Sequence, residues 1–123
     1  LEKVYLGRLK EEMDFFLESW RRAWESADLG SYVRFYADDA SQDGRTGRDA
    51  IREFKQRTWR RSRPRTVKLE GVRLSFENGG VRATMRQQYR SASGYEDKGM
   101  KTLLLWPDGK GGWLIASENW RAL

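Results

Sequence analysis

The stretch TVKLEGVRLSFENGGVRATMRQQYR, residues 66–90, decides the fold class of this chain. Apolar and polar residues alternate along both of its halves, which is typical of half-buried β-strands. Glu77-Asn78-Gly79-Gly80, between the two halves, carries the residues of a tight hairpin turn. The stretch therefore predicts an antiparallel β-hairpin.

The alternation changes phase across Gly71. Val67 and Leu69 share one phase, whereas Leu74 and Phe76 share the other. A β-bulge at Gly71 would bring both pairs onto the same face and would bend the sheet sharply. We therefore expect a curved rather than a flat sheet.

The second half of the hairpin has two distinct faces. One carries Val81, Ala83, Met85, Gln87 and Tyr89, and the other carries arginine, threonine and Gln88. The pattern leaves open whether Gln87 or Gln88 points inward.

Two more strands are predicted downstream. After a loop over Ser91–Gly99, the apolar run Met100–Trp106 forms one strand, and Trp113–Arg121 forms the next. The turn residues of Pro107–Gly112 separate them.

Upstream of the strands, the chain has the periodicity of helices. Apolar residues at steps of three and four predict a long first helix, with charged residues opposite them. They are Leu6, Leu9, Met13, Phe16, Leu17, Trp20, Ala23, Trp24 and Ala27. Asp28 is placed to cap a short second helix that continues to about Tyr36.

The pattern of the polar stretch Asp38–Gly47 allows one short strand. Thr46 and Asp49 resemble a capping box for a third helix, which Pro64 ends at about Ser62. Helices followed by strands predict an α+β domain with the helices packed on one face of a mainly antiparallel sheet.

The composition indicates one soluble globular domain over residues 1–123. The chain has no cysteine and no histidine, which excludes disulfides, cysteine-based zinc sites and thiol or imidazole catalysis. No run reaches the roughly 20 apolar residues that span a bilayer. Because the sequence begins with Leu1, we expect a domain excised or processed from a longer protein.

The net charge of +6 is carried largely by arginine, which suits an anionic partner. The densest cluster, Arg57–Arg65, surrounds Trp59. Nucleic acid would use such a cluster for phosphate contacts and stacking, but no nucleic-acid motif accompanies it. Arg60 and Arg61 instead fit the last turn of a helix, where cations complement the helix dipole. The pattern therefore favours a solvated helix end over nucleic-acid binding.

The order of these elements resembles the nuclear transport factor 2-like superfamily, also called SnoaL-like. The resemblance rests on the following residues: Trp20, Trp24, Asp28, Tyr32, Tyr36, Gly47–Phe54, Gln88-Tyr89 and Trp113–Trp120. The closing pattern Trp-x-Ile-x-x-Glu-x-Trp looks most like that of domains appended to bacterial L,D-transpeptidase-like cell-wall proteins. Such a context implies a periplasmic or cell-envelope location, with the cytoplasm as the alternative.

This resemblance implies a cone in which the curved sheet wraps the long helix and leaves a cavity. Superfamily members use the cavity for isomerase or lyase chemistry on small molecules or only for binding. The lack of histidine excludes a His-Asp pair. Asp38 or Asp39 could serve as a base with Tyr32, Tyr36 or Tyr89 as donor, although both acids have the setting of solvated turn residues.

The candidates for lining the cavity are Trp20, Trp24, Tyr32, Tyr36, Trp59, Gln87, Tyr89, Glu118 and Trp120. The rings could equally form the core. Glu118 could be a buried acid of raised pKa, or it could pair with Lys101, Arg86 or Arg90 on a neighbouring strand. No catalytic residue, metal ligand or cofactor is predicted.

Two functional hypotheses follow. The first is a non-catalytic binding or accessory domain that holds a small or peptide-like ligand. The second is an isomerase or lyase of the ketosteroid-isomerase or SnoaL type. Leu103 and Leu105 are expected to form an apolar spot on the outer sheet face, among Arg82, Arg86 and Lys101. Superfamily members often dimerise through this face, so a homodimer is predicted.

Overall fold

The computed structural model describes residues 2–123, so Leu1, part of the predicted domain 1–123, lies outside the described residues. Helix α1 (Glu2–Glu25) and the short helix α2 (Leu29–Val33) come first. Strands β1 (Tyr36–Gln42) and β2 (Arg45–Thr46) precede helix α3 (Arg48–Arg61). Four long strands then follow: β3 (Pro64–Glu77), β4 (Gly80–Ser91), β5 (Glu96–Pro107) and β6 (Trp113–Ala122).

The strands form one sheet in the order β2-β1-β6-β5-β4-β3. Neighbouring strands are antiparallel except β1 and β6, which are parallel. The predicted α+β class, with helices packed on a curved and mainly antiparallel sheet, is confirmed.

Helix α1 lies along the inner face of this sheet. Its stripe from Leu9 to Trp24 is buried, whereas Leu6, in its second turn, is 43% exposed. On its opposite face Glu18 pairs with Arg21 and Arg22. The predicted amphipathic helix is therefore confirmed, and its polar face is in water.

The sheet is bent at the predicted bulge. The pairing of β3 with β4 shifts between Glu70 and Arg73, and Gly71 has a φ of +64°. Because β3 carries one extra residue there, Leu69 and Leu74 both face inward. The hairpin turn is also as predicted, with positive φ at Asn78 and Gly79.

Three predicted boundaries are wrong. Helix α2 ends at Val33 instead of Tyr36, because the carbonyl of Phe35 already accepts a hydrogen bond from the Ile115 backbone of β6. The segment predicted to allow one short strand contains most of β1, which already begins at Tyr36, and all of β2. The predicted loop Ser91–Gly99 is shorter than expected, since Ser91 belongs to β4 and residues 96–99 pair with β4 as the start of β5.

The predicted capping box at Thr46 is absent. Thr46 belongs to β2 and pairs with Ser41, so the N-cap position of α3 falls on Gly47. Gly47 has a φ of +98°, a conformation that glycine adopts readily and threonine does not. Asp28, by contrast, caps α2 as predicted, since its side chain accepts from the Ser31 amide.

The predicted apolar spot on the outer sheet face is also wrong. Leu103 and Leu105 are fully buried, and Lys101 is buried beside them on the inner face. Strand alternation puts these three residues on one side of β5, and the core covers that side. The apolar residues that β5 does place outside are Met100, Leu104 and Trp106.

Candidate functional site

The inner face of the sheet and the three helices bring the predicted cavity residues together. Seven of the nine are buried, while Tyr89 and Trp120 are half-buried. Trp24 is 4% exposed and stacks on Tyr89 with ring centroids 5.5 Å apart, and its ring also lies 5.4 Å from that of Trp20. Of this set, therefore, Tyr89 and Trp120 are the residues that solvent reaches.

The deeper rings pack as a core. Tyr32 lies between Tyr36, at 5.2 Å, and Trp59, at 5.1 Å, in both cases measured between ring centroids. Tyr32 and Tyr36 are fully buried. These residues belong to the core between the sheet and the helices and do not form an open cleft.

Glu118 lies at the centre of a buried polar network. Its Oε2 forms an ion pair with the Nζ of Lys101, and the side chains of both residues are almost completely buried. Its Oε1 accepts hydrogen bonds from the Tyr36 hydroxyl and from the Nε2 of Gln42, the latter at 2.9 Å. Both carboxylate oxygens are thus occupied.

The remaining hydroxyl of the network is also satisfied. The hydroxyls of Tyr32 and Tyr36 lie 2.7 Å apart, and the indole N–H of Trp20 donates to the Tyr36 hydroxyl at 3.1 Å. Tyr36 has one hydroxyl proton, and the carboxylate of Glu118 is the stronger acceptor for it. Tyr32 therefore donates to Tyr36, and it accepts from Gln42 at 3.0 Å.

The network sets the ionisation of its members. Burial acts to raise the pKa of Glu118, but the charges of Lys101 and Lys55 and the hydrogen bonds outweigh it and lower the pKa to about 2. Burial and the charge of Glu118 raise the pKa of Tyr36 well above its usual value. Near neutrality Glu118 is a carboxylate and Tyr36 a neutral donor.

Lys55, on α3, is a second cation on this inner face. Its side chain is half-buried, and its Nζ lies 5.5 Å from the ring centre of Trp24 and 5.9 Å from that of Tyr32. Within residues 2–123 its ammonium makes no ion pair and no hydrogen bond. Burial lowers its pKa to about 8.

Three buried polar atoms on the same face have no hydrogen-bond partner among the described residues. They are the Oε1 of Gln87, the indole Nε1 of Trp120 and the Oδ1 of Asp97, which pairs with Tyr89 across the strands. Gln87 lies opposite Gly99 in β5, and the Trp120 indole lies over the same glycine, where a Cβ would come within 2.3 Å of its nitrogen. An unused acceptor and an unused donor therefore flank the glycine. Gln87, 4% exposed, is the glutamine that points inward.

Two members of the site escaped the sequence analysis, Gln42 and Lys55. Gln42 is fully buried although it ends a polar run, and only the pairing of β1 with β6 puts it beside Glu118. Lys55 follows Phe54 in α3. A charged residue next to an apolar one is ordinary in an amphipathic helix, so the sequence gave no sign that Lys55 faces the interior. The positions of both depend on the packing of distant elements.

Other predicted chemistry falls outside this site. Asp38 is exposed and pairs with Arg48 at 2.9 Å, and Asp39 is exposed as well. The arginine cluster at the end of α3 lies on the surface, where Arg57 pairs with Glu53. Across residues 2–123, no group of three or more potential metal ligands is found.

Solved structures share this fold. Bd1075 of Bdellovibrio bacteriovorus superimposes with a TM-score of 0.81 and 24% identity over 92% of this chain, which spans 41% of Bd1075. An NTF2-like protein of unknown function from Pseudomonas putida KT2440 gives 0.80 and 16%, with 95% and 94% of the two chains covered. A Catenulispora acidiphila protein in complex with S-DNPA gives 0.81 and 17%, covering 94% of each.

No curated protein sequence matches the chain. The sequence profile described as the Cds6 C-terminal NTF2-like domain matches residues 12–119. This range includes residues 12–25 of α1 and the network residues Tyr36, Gln42, Lys101 and Glu118. The chain belongs to the family of Cds6 C-terminal NTF2-like domains.

Proposed function

We propose that this chain is a non-catalytic binding or accessory domain that holds a small or peptide-like ligand on the aromatic inner face of its sheet. The ligand would contact the half-buried Tyr89 and Trp120 and the edge of Trp24. Trp20, Tyr32, Tyr36 and Trp59 would support this surface from below.

The observation that carries the proposal is the state of Glu118. A general acid or base works best when its pKa lies near the operating pH. The ion pair with Lys101 holds the pKa of Glu118 at about 2, far from that range. Its oxygens are also engaged by Tyr36 and Gln42, so the carboxylate is a fixed charge in the wall.

The alternative is an isomerase or lyase of the ketosteroid-isomerase or SnoaL type. Such an enzyme needs a tyrosine or protonated acid that donates to the oxygen of the substrate. The Tyr36 hydroxyl already donates its hydrogen bond to Glu118, and it is buried under Trp20. The arrangement therefore favours binding over turnover.

The unused polar atoms support a ligand on this face. Buried polar groups are normally hydrogen-bonded, and an orphan atom calls for a partner. Gln87 offers an acceptor and Trp120 offers a donor, so an amide-bearing ligand would satisfy both. The Catenulispora acidiphila neighbour, in complex with S-DNPA, supports the idea that this fold accommodates a small organic molecule.

We place the domain in a longer bacterial cell-envelope protein. The resemblance of its closing strand to domains appended to cell-wall proteins supports the envelope context. The similarity to two fifths of Bd1075 supports only the place within a longer protein. No helix among residues 2–123 is long and apolar enough to cross a membrane.

The test is a nitrogen-15 spectrum that follows the indole N–H signals, with N-acetylated dipeptides and small aromatic ketones as probes. We expect a bound probe to shift the Trp120 signal most. The Trp20 and Trp113 indoles, which already donate to Tyr36 and Glu12, are internal controls. Conversion of a ketone probe by the protein, abolished by Glu118→Gln with the fold intact, would overturn the proposal in favour of the enzyme.

A further inference from the structure

The charge on the inner face is unbalanced. Glu118 is the fully buried acid there, and Lys101 occupies its Oε2 while Tyr36 and Gln42 occupy its Oε1. Lys55 contributes a second positive charge to the same region, and Glu118 has no oxygen left to contact it. A half-buried ammonium without an anionic partner is unfavourable, because burial removes water that would otherwise solvate it.

The surroundings of Lys55 fit an incoming anion. Its Nζ lies 5.5–5.9 Å from the ring centres of Trp24, Phe54 and Tyr32. The ring faces attract the ammonium but supply no counter-charge, so they leave Lys55 without a contacting anion among residues 2–123. The Nζ of Lys101 lies 5.2 Å from the ring centre of Trp24, so both cations border the same indole. Arg45 and Asp43 also act on Lys55, with opposite signs. Lys55 and Lys101 together therefore still face one carboxylate, that of Glu118. A second carboxylate would balance the charges.

Trp24 also connects this cation to the unused polar atoms. It stacks on Tyr89, which is two residues beyond Gln87 on the same face of β4. Lys101, which borders Trp24, lies directly opposite Trp120 on β6. A single ligand lying against Trp24 could therefore reach Lys55, Gln87 and Trp120.

Resting on the binding function above, we propose that the ligand is an acylated amino acid or short peptide whose free carboxylate pairs with Lys55. One amide N–H of the ligand donates to the Oε1 of Gln87, and one carbonyl accepts from the indole of Trp120. An apolar side chain of the ligand packs against the half-buried ring of Tyr89, on the side away from Trp24. Lys55 is thus the residue that selects ligands with a terminal carboxylate.

The test compares two probes, N-acetyl-leucyl-alanine and its C-terminal amide, which differ only in the carboxylate. Binding is measured by titration of the indole and backbone amide signals. We expect the carboxylate probe to bind at least about tenfold more tightly than the amide, a ratio in the range of one charge-assisted hydrogen bond.

Variants assign this preference to Lys55. Lys55→Met should abolish it and Lys55→Arg should keep it. Lys110→Met, which removes an exposed charge in the loop between β5 and β6, should leave it unchanged. The comparison of the two probes on the unmodified protein needs no variant, so it stands even if Lys55→Met fails to fold.

The outcomes separate this inference from the function on which it rests. Equal binding of the two probes, or a preference that survives in Lys55→Met, would overturn the carboxylate inference and leave the binding function standing. If neither probe shifts any signal of the inner face, the proposed peptide-binding function fails and the inference fails with it.

Discussion

At the scale of single residues, the chemistry of the molecule depends most on the Glu118–Lys101 pair. A buried ion pair contributes little net stability, because desolvation of both charges offsets their attraction, but removal of one partner leaves the other buried and unpaired. Here the carboxylate also anchors Tyr36 and Gln42, so the cost of breaking the pair extends to the hydrogen bonds around it.

We expect Lys101→Met to lower the free energy of unfolding at pH 7 by about 3–5 kcal/mol, the usual cost of orphaning a buried charge. Lys98→Met, on the exposed side of the same strand, is the matched control and should change stability by no more than about 0.5 kcal/mol. Urea unfolding followed by tryptophan fluorescence measures both. Equal effects of the two variants would contradict the buried pair.

The same variant has a predicted dependence on pH. The folded pKa of Glu118 lies below its unfolded value, so its ionised form contributes stability above about pH 4.5, which is lost as the pH falls towards 2. Without Lys101 the carboxyl takes up a proton at a higher pH. The stability difference between the two proteins should therefore shrink as the pH falls below about 4.5, and a difference that is constant over this range would contradict the assignment.

Sequence reasoning reached this pair but not its surroundings. The sequence shows that Glu118 lies among apolar residues of one predicted strand and that the preceding strand carries Lys101. Strand alternation then predicts that the two side chains can meet across the strands. Gln42 and Lys55 are not visible in this way. Their contacts with the site depend on the parallel pairing of β1 with β6 and on the position of α3, and neither leaves a local pattern.

At the scale of elements, the bulge at Gly71 decides how the sheet meets α1. Its signal was readable, because a change in the phase of alternation has few physical explanations other than an extra residue in the strand. The predicted N-terminus of α3 was wrong because a local pattern was overridden by pairing between strands. Thr46 has the right spacing for a cap, but pairing with Ser41 holds it in an extended strand, and pairing overrides the local preference.

We expect Gly71→Val to destabilise the protein more than Gly71→Asn. A Cβ at this position meets no atom within 4 Å, so the cost arises from the positive φ, which asparagine tolerates and a β-branched residue does not. We expect the free energies of unfolding of the two variants, measured by chemical denaturation, to differ by about 1 kcal/mol.

The neighbouring Val72 is the matched position, since its φ is not positive. There valine should be at least as stable as Val72→Asn. If valine is also more stable than asparagine at position 71, the positive φ of the bulge is not the reason that glycine is favoured there.

At the scale of the whole molecule, the outer sheet face combines a few apolar residues with several arginines. A shallow depression of about 460 Å³ on this face is lined by Arg73, Arg86, Arg121, Met100 and two threonines. Leu104 and Trp106 continue the apolar part. The homodimer through this face stays a prediction, now with different residues at its centre.

A symmetric pairing of this face would bring like charges together, so salt should strengthen the dimer by screening their repulsion. We expect sedimentation at high protein concentration to show a larger dimer fraction at about 0.5 M than at 0.05 M salt. Leu104→Glu should return the protein to a monomer, whereas a Gln56→Glu control on the exposed surface of α3, away from this face, should leave the dimer fraction unchanged. A clean monomer mass at both salt concentrations would exclude this assembly.

The place of β6 in the sheet has a consequence for biosynthesis. This strand lies between β5 and β1, so the segment that is made last among the described residues is the one that joins the two parts of the sheet. Until residues 113–122 leave the ribosome, β1 and β2 have no sheet to join, Lys101 has no carboxylate, and the inner rings stay uncovered. Because folding must then close contacts between residues as distant as Tyr36 and Ile115, the nascent chain should depend on chaperones until its last strand is made.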